Sequence, residues 1–255
     1  MTGRRHELPR QDTRAYRLFR IQKRYTIPLA VAALVVLSFV QQWWVLPANW
    51  NPGAELDVNH AMTPVTRWKL SRLSKRPQDC LDVLARIPAG AIDYMPLEDY
   101  TPVKGCPLTN VVRLRSTAVA FNRPFTVSCP IAVAWVMYEQ QALAPLAREL
   151  LQVELSQVDH LGSFSCRTIA NSPTNRMSAH ASASALDVAA FRFADGRRLT
   201  LAGHWNNPER PAEQSFLHQA HQAACRYFGT VLGPDYNAAH LDHFHFDNRG
   251  FHYCR

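Results

Sequence analysis

His240-Leu241-Asp242-His243-Phe244-His245-Phe246-Asp247 is the stretch that decides how this chain folds. Side chains alternate across a strand, so from His243 onward the two imidazoles share one face while Phe244 and Phe246 share the other. The phenylalanines need a core to pack into, and the histidines opposite them need a polar cleft. Some sixty residues earlier, Leu186-Asp187-Val188-Ala189-Ala190-Phe191-Arg192-Phe193 reads as a second strand, with Asp187 at its start.

His180 stands seven residues before Asp187. On a straight helix the two would lie about two turns, roughly 10 Å, apart, and an extended chain would separate them further. The chain between them must fold back for both to serve one site. Ala181 to Ser184 offer no bulky side chain to oppose a tight return. A catalytic zinc takes three nitrogen or oxygen ligands and keeps one open position, and His180, Asp187 and His245 would supply such a set. A lone histidine needs no such explanation, but the His-x-His face opposite Phe-x-Phe, paired with His180 and Asp187, does.

Around these strands the pattern alternates between helix and strand. A short amphipathic helix fits Pro64 to Leu73, and another helix starts near Asp79. Cys106 to Leu114 and Phe125 to Ser128 read as strands. Pro130 to Gln152 is the clearest helical zone, with Pro130 in its first turn and Pro145 set to break or restart it. Leu155 to Arg167 is strand-like. Phe191 to Leu201 reads as a hairpin turning at Asp195-Gly196. Pro211 to Phe228 presents Phe216, Ala220, Ala223, Ala224 and Tyr227 as one apolar helical face. These elements predict an α+β domain, an antiparallel sheet with flanking helices.

The formal charge of +8 does not require a nucleic-acid partner. Residues 1–26 hold eight Lys or Arg (Arg4, Arg5, Arg10, Arg14, Arg17, Arg20, Lys23 and Arg24) against Glu7 and Asp12, so the remainder is nearly balanced. That basic lead runs into an apolar stretch, Ile27 to Val40, followed by Gln41-Gln42-Trp43-Trp44-Val45-Leu46. A basic flank before an apolar run predicts one transmembrane helix over 27–46, with the N-terminus in the cytoplasm and Trp43 and Trp44 at the far interface. The expected organisation is a basic cytoplasmic tail 1–26, an inner-membrane anchor 27–46, a proline-bearing linker or stalk 47–76, and a periplasmic domain 77–255. Cysteine usage agrees with export: Cys80, Cys106, Cys129, Cys166, Cys225 and Cys254 all follow the apolar run, and none forms Cys-x-x-Cys. Pairing neighbours in order predicts Cys80–Cys106, Cys129–Cys166 and Cys225–Cys254.

Ser178-x-His180-x-x-Ala183-x-Ala185-Leu186-Asp187 resembles the S-x-H-x-x-G-x-A-x-D signature of zinc D-Ala-D-Ala carboxypeptidases and related murein endopeptidases, with Ala183 where those enzymes usually carry glycine. His240-x-x-His243-x-His245 resembles the second motif of the endopeptidase branch. Over Cys80 to Cys254, through these motifs together with Cys166-Arg167 and Val231-Leu232-Gly233-Pro234, the chain resembles bacterial extensin-like C-terminal domain proteins. The resemblance implies a D-Ala-D-Ala carboxypeptidase-like fold and Zn2+ held by His180, Asp187 and His245. It implies a general base at Asp242, although strand alternation turns Asp242 away from His245 and leaves His243 as the other candidate. His240 would orient the base or bind substrate. Arg167 would grip a substrate carboxylate, with Arg176 a weaker competitor. Ser178 would either support a ligand or cap the loop. The implied function is a membrane-anchored, periplasm-facing zinc metallopeptidase hydrolysing peptide bonds in peptidoglycan. The alternative is a cell-wall- or metal-binding module that keeps the fold without the reaction.

Overall fold

The structure is a computed structural model that describes residues 13–41, 45–169, 174–249 and 252–255. It divides into two compact units, Met1–Pro47 and Ala48–Arg255.

The first unit holds helix α1 (Thr13–Val40). Among the described residues no helix is long and apolar enough to cross a membrane, which overturns the anchor expected over 27–46. The apolar part of α1, Ile27 to Val40, is fourteen residues. At 1.5 Å per residue it spans about 21 Å, short of a hydrocarbon core of about 30 Å. The helix also ends at Val40 and turns at Gln41, so it does not carry the apolar run through to Leu46. Residues 1–12 of the basic lead, and Trp43 and Trp44, lie outside the described residues.

In the second unit the stretch read as a stalk is part of the packed domain. Leu56, Val58, Leu70 and Leu73 are buried in its main core. Two of the four prolines that argued for a linker start helices instead: Pro64 opens α2 (Pro64–Arg72) and Pro77 opens α3 (Pro77–Ala85), where a missing N–H costs nothing. Thr63 caps α2 by accepting from the Thr66 N–H at 3.1 Å. Lys69 ties the helix down by donating to the Ala48 carbonyl at 2.8 Å.

The strands are β1 (Asp93–Pro96), β2 (Tyr100–Val103), β3 (Cys106–Leu108), β4 (Val111–Ser116) and β5 (Ala120–Ser128). The helical zone follows, as α4 (Cys129–Tyr138), a π-helical turn (Glu139–Leu143) and α5 (Ala144–Leu151). Pro145 restarts the helix, standing in the first turn of α5. The π turn, with the Ala144 N–H bonded to the Glu139 carbonyl five residues back, admits a residue that has no N–H to give. Then come β6 (Leu155–Gly162), β7 (Ala185–Phe193), β8 (Arg198–Thr200), α6 (Leu201–His204), α7 (Pro211–Ala224), β9 (Thr230–Leu232), β10 (Phe244–Asp247) and β11 (Tyr253–Cys254). The main sheet runs β1-β4-β5-β6-β7-β10-β9-β11, with β8 beside β7, while β2 and β3 pair separately. It is mostly antiparallel, as expected, but β5–β6 and β9–β11 are parallel.

One face of this sheet carries the core. Every residue of α4 is buried, and Phe244 and Phe246 point toward it. Phe246 stacks on Phe228 at 4.8 Å and meets Tyr138 edge-on at 5.9 Å, while Phe244 meets Trp205 edge-on at 5.6 Å. The apolar face of α7 supplies Phe216, Ala220 and Ala224.

The disulfides are Cys80–Cys129, Cys106–Cys166 and Cys225–Cys254. Two of the three pairings predicted from chain order are therefore corrected. The reason is packing: α3 lies against the start of α4, which puts Cys80 beside Cys129 with Cα atoms 6.1 Å apart, and Cys106 on β3 meets Cys166 across 5.8 Å.

Candidate metal centre

The centre lies on the sheet face opposite the core. In the β7–β10 ladder His245 is the direct partner of Asp187, flanked by Phe244↔Val188 and Phe246↔Leu186. Directly opposed residues of an antiparallel pair project to the same side, so this register brings imidazole and carboxylate together as it buries their neighbours. His245 Nδ1 lies 2.9 Å from Asp187 Oδ1.

His180 arrives by the tight return that its spacing demanded. Residues Ala179–Ser182 form a 3₁₀ turn that Ser178 caps, its hydroxyl accepting from the His180 N–H at 3.3 Å. Ala183 closes the turn with φ +50°, a left-handed conformation that favours glycine. This is the position at which the resembling signature carries glycine. The turn sets His180 Nε2 3.2 Å from Asp187 Oδ2 and 3.2 Å from His245 Nδ1.

Both rings are fixed from behind. A carbonyl only accepts, so His180 Nδ1 donates to the Ser163 carbonyl at 2.8 Å, which turns Nε2 toward the centre. His245 Nε2 donates to Asp247 Oδ2 at 3.2 Å, and Asp247 in turn accepts the Arg249 N–H at 2.7 Å. The nitrogens that face Asp187 are thus the ones a cation would take, in place of the protons they share with the carboxylate. Donors 2.9 to 3.2 Å apart come close to the edge of a tetrahedron with bonds of about 2 Å, roughly 3.3 Å. The three residues form a group able to hold a metal ion.

The electrostatics agree. Burial favours a neutral Asp187, but hydrogen bonds from His180 and His245 outweigh it and hold the carboxyl well below its usual range. Burial likewise opposes charge on His245, yet the hydrogen bonds and charges of Asp187 and Asp247 push it up to about 9. The site is built to hold positive charge. It is also open on one side: His180 is buried, whereas the Asp187 side chain keeps 13% exposure and His243 keeps 12%.

The remaining predicted residues surround the centre at different depths. His243 Nε2 lies 3.8 Å from Asp187 Oδ1, and its Nδ1 donates to Asp242 Oδ1 at 2.8 Å. The strand begins only at Phe244, so alternation does not bind Asp242, which is exposed and touches the centre only through His243. The His240 ring is 5.2 Å from that of His243 and 5.9 Å from that of His245, and its Nδ1 donates to Asn237 Oδ1 at 2.8 Å. Burial, then the charges of His243 and His245, lower His240 to about 4. Arg167 is exposed, its carbonyl bonded to the Ser178 N–H at 2.9 Å and its charge reaching His240.

Two partners escaped the sequence reading. Asp247 carried a signal, since it lies two residues beyond His245 and hence on the same strand face. The Ser163 carbonyl carried none, because a backbone oxygen has no residue type to read.

No curated protein and no solved structure matches the chain. Residues 78–255 match the family described as Extensin-like protein C-terminus. That match spans the strands, the disulfides and every donor of the centre, and the chain therefore belongs to the extensin-like C-terminal family.

Proposed function

We propose that the protein is a zinc-dependent hydrolase of peptide bonds in peptidoglycan, with the ion held by His180 Nε2, the Asp187 carboxylate and His245 Nδ1. The observation that carries this reading is the convergence of two oriented imidazole nitrogens and a carboxylate beside a solvent-reachable histidine. When bound, zinc would lower the pKa of a water and polarise the scissile carbonyl.

The protein's own groups do the rest. His243 is the general base. Asp242 takes the hydrogen bond from its Nδ1, which leaves the Nε2 lone pair directed at the centre. From there Nε2 removes a proton from the attacking water and returns it to the leaving amine. Asp242 is then a positioning residue for His243. His240, held neutral by its surroundings, is placed to accept or donate a substrate hydrogen bond. Arg167, exposed at the edge, supplies a guanidinium for a substrate carboxylate. The disulfides suit an oxidising compartment, where peptidoglycan is met.

The test is digestion of purified peptidoglycan by the full chain, with products separated by mass. Release of peptide fragments that stops on chelation and resumes with zinc is expected. His243→Ala should lower the rate by about 100-fold or more while zinc stays bound. Bound zinc with no released peptide would instead make the protein a wall-binding module.

A further inference from the structure

Among the described residues a second group can hold a metal. The donor atoms of His221, Cys225 and Cys254 lie within 4.8 Å of one another, although the two cysteines are joined as a disulfide. We propose that reduction of Cys225–Cys254 turns these three residues into a divalent-metal site of the zinc class, which then holds the C-terminal strand in place of the disulfide.

Three observations carry this. First, His221 and Cys225 are four residues apart at the end of α7, so they project on one side of the helix toward Cys254. Second, the His221 ring is already oriented. It meets Trp205 edge-on at 5.7 Å and Phe244 at 5.2 Å, and Nε2 donates to the Arg255 carbonyl at 3.2 Å, which leaves Nδ1 with the lone pair. Gly233 makes room for the ring, since a Cβ there would stand 3.0 Å from two of its atoms. Third, this disulfide is the most exposed of the three. Cys254 is exposed and Cys225 half-buried, whereas Cys80 and Cys129 are both buried and Cys106–Cys166 joins a buried cysteine to a half-buried one.

The exchange balances. A dithiol reductant passes two electrons and two protons to the S–S bond and becomes a disulfide, leaving two thiols. A divalent ion then displaces both thiol protons and takes two thiolates and one imidazole, with a fourth position for water. Among the described residues β11 pairs with β9 through two residue pairs, Tyr253↔Thr230 and Cys254↔Val231, and the metal would add to that short ladder the tie the disulfide now supplies.

The experiment uses the full chain with cobalt(II) as the probe. Cobalt bound through thiolate gives an intense near-ultraviolet charge-transfer band. The His180, Asp187 and His245 centre has no sulfur and cannot produce that band, so the outcome is independent of the function proposed above. Under limiting dithiol, thiol mapping by mass spectrometry should show Cys225 and Cys254 opening first. The band should then appear with one equivalent of cobalt and vanish on reoxidation. His221→Ala should weaken the site by about 100-fold or more, because one of three donors is gone. The double variant Cys225→Ser, Cys254→Ser should give no band, and its circular dichroism reports whether the fold survives without the staple. Opening of another disulfide first, absence of the band after Cys225–Cys254 opens, or an undiminished band in His221→Ala would each overturn the proposal.

Discussion

At the residue scale, Asp247 and Ala183 are the informative positions. Asp247 holds His245 by its far nitrogen and is buried among the sheet's polar residues. Such a partner sets ring orientation and basicity, so Asp247→Asn should weaken metal binding by roughly 10- to 100-fold with little change in melting temperature, as competition against a chromogenic chelator would show. Ala183 is a fully buried residue in a left-handed conformation, packed beside Leu108 and Val111. Replacing it with glycine relieves strain but removes a buried methyl, and the two effects offset to within about 1 kcal/mol. Ala183→Val adds a β-branched side chain to a closed site with positive φ, and should cost about 2 kcal/mol or more in a urea titration. The three residues that converge were legible in the sequence because histidine and aspartate at these positions suggest metal chemistry by type. Asp242 and His243 stood as alternative bases because alternation presupposes a strand, and the strand begins only at Phe244.

At the element scale, the π turn after α4 buries a carboxyl. Glu139 is 1% exposed and accepts hydrogen bonds from Thr117 and, at 2.9 Å, from Trp135 Nε1. Burial outweighs these bonds and pushes Glu139 up to about 7. The folded state therefore keeps a proton between pH 4.5 and 7 that the unfolded chain has released, and stability falls as pH rises through this window. The loss is complete above the folded value and is on the order of 3 kcal/mol. Glu139→Gln should flatten that slope, which denaturant titrations at pH 5 and pH 8 would reveal. The helices and the β7–β8 hairpin were readable because periodicity, proline placement and Asp195-Gly196 are local signals. The π turn was not, since it depends on how Pro145 is accommodated by its neighbours. The parallel pairings of β5–β6 and β9–β11 were hidden for the same reason, as strand order is a long-range property.

At the scale of the whole molecule, the disulfides and the core decide what survives. Chain order suggested pairing nearest cysteines, but side-by-side packing of α3 and α4 chose Cys80–Cys129 across 49 residues. Closing a loop of that length restricts the unfolded chain by up to about 4 kcal/mol, so replacing both cysteines with serine should lower the denaturation free energy by an amount of that order. The same packing drew residues 48–76 into the domain: Leu56 and Val58 are core residues in no periodic pattern, and the short helix carrying Leu70 packs on the same core. The apolar run near the N-terminus misled for the opposite reason. Composition carried it to Leu46, while the helix that forms ends at Val40.

All of this meets in one question of metal content. The oxidised 255-residue chain, loaded with zinc and dialysed, should retain one equivalent by atomic emission. Asp187→Ala should retain none while keeping the far-ultraviolet circular dichroism of the parent. Zinc absent from the parent, or undiminished in Asp187→Ala, would contradict the assignment of His180, Asp187 and His245 as a metal centre.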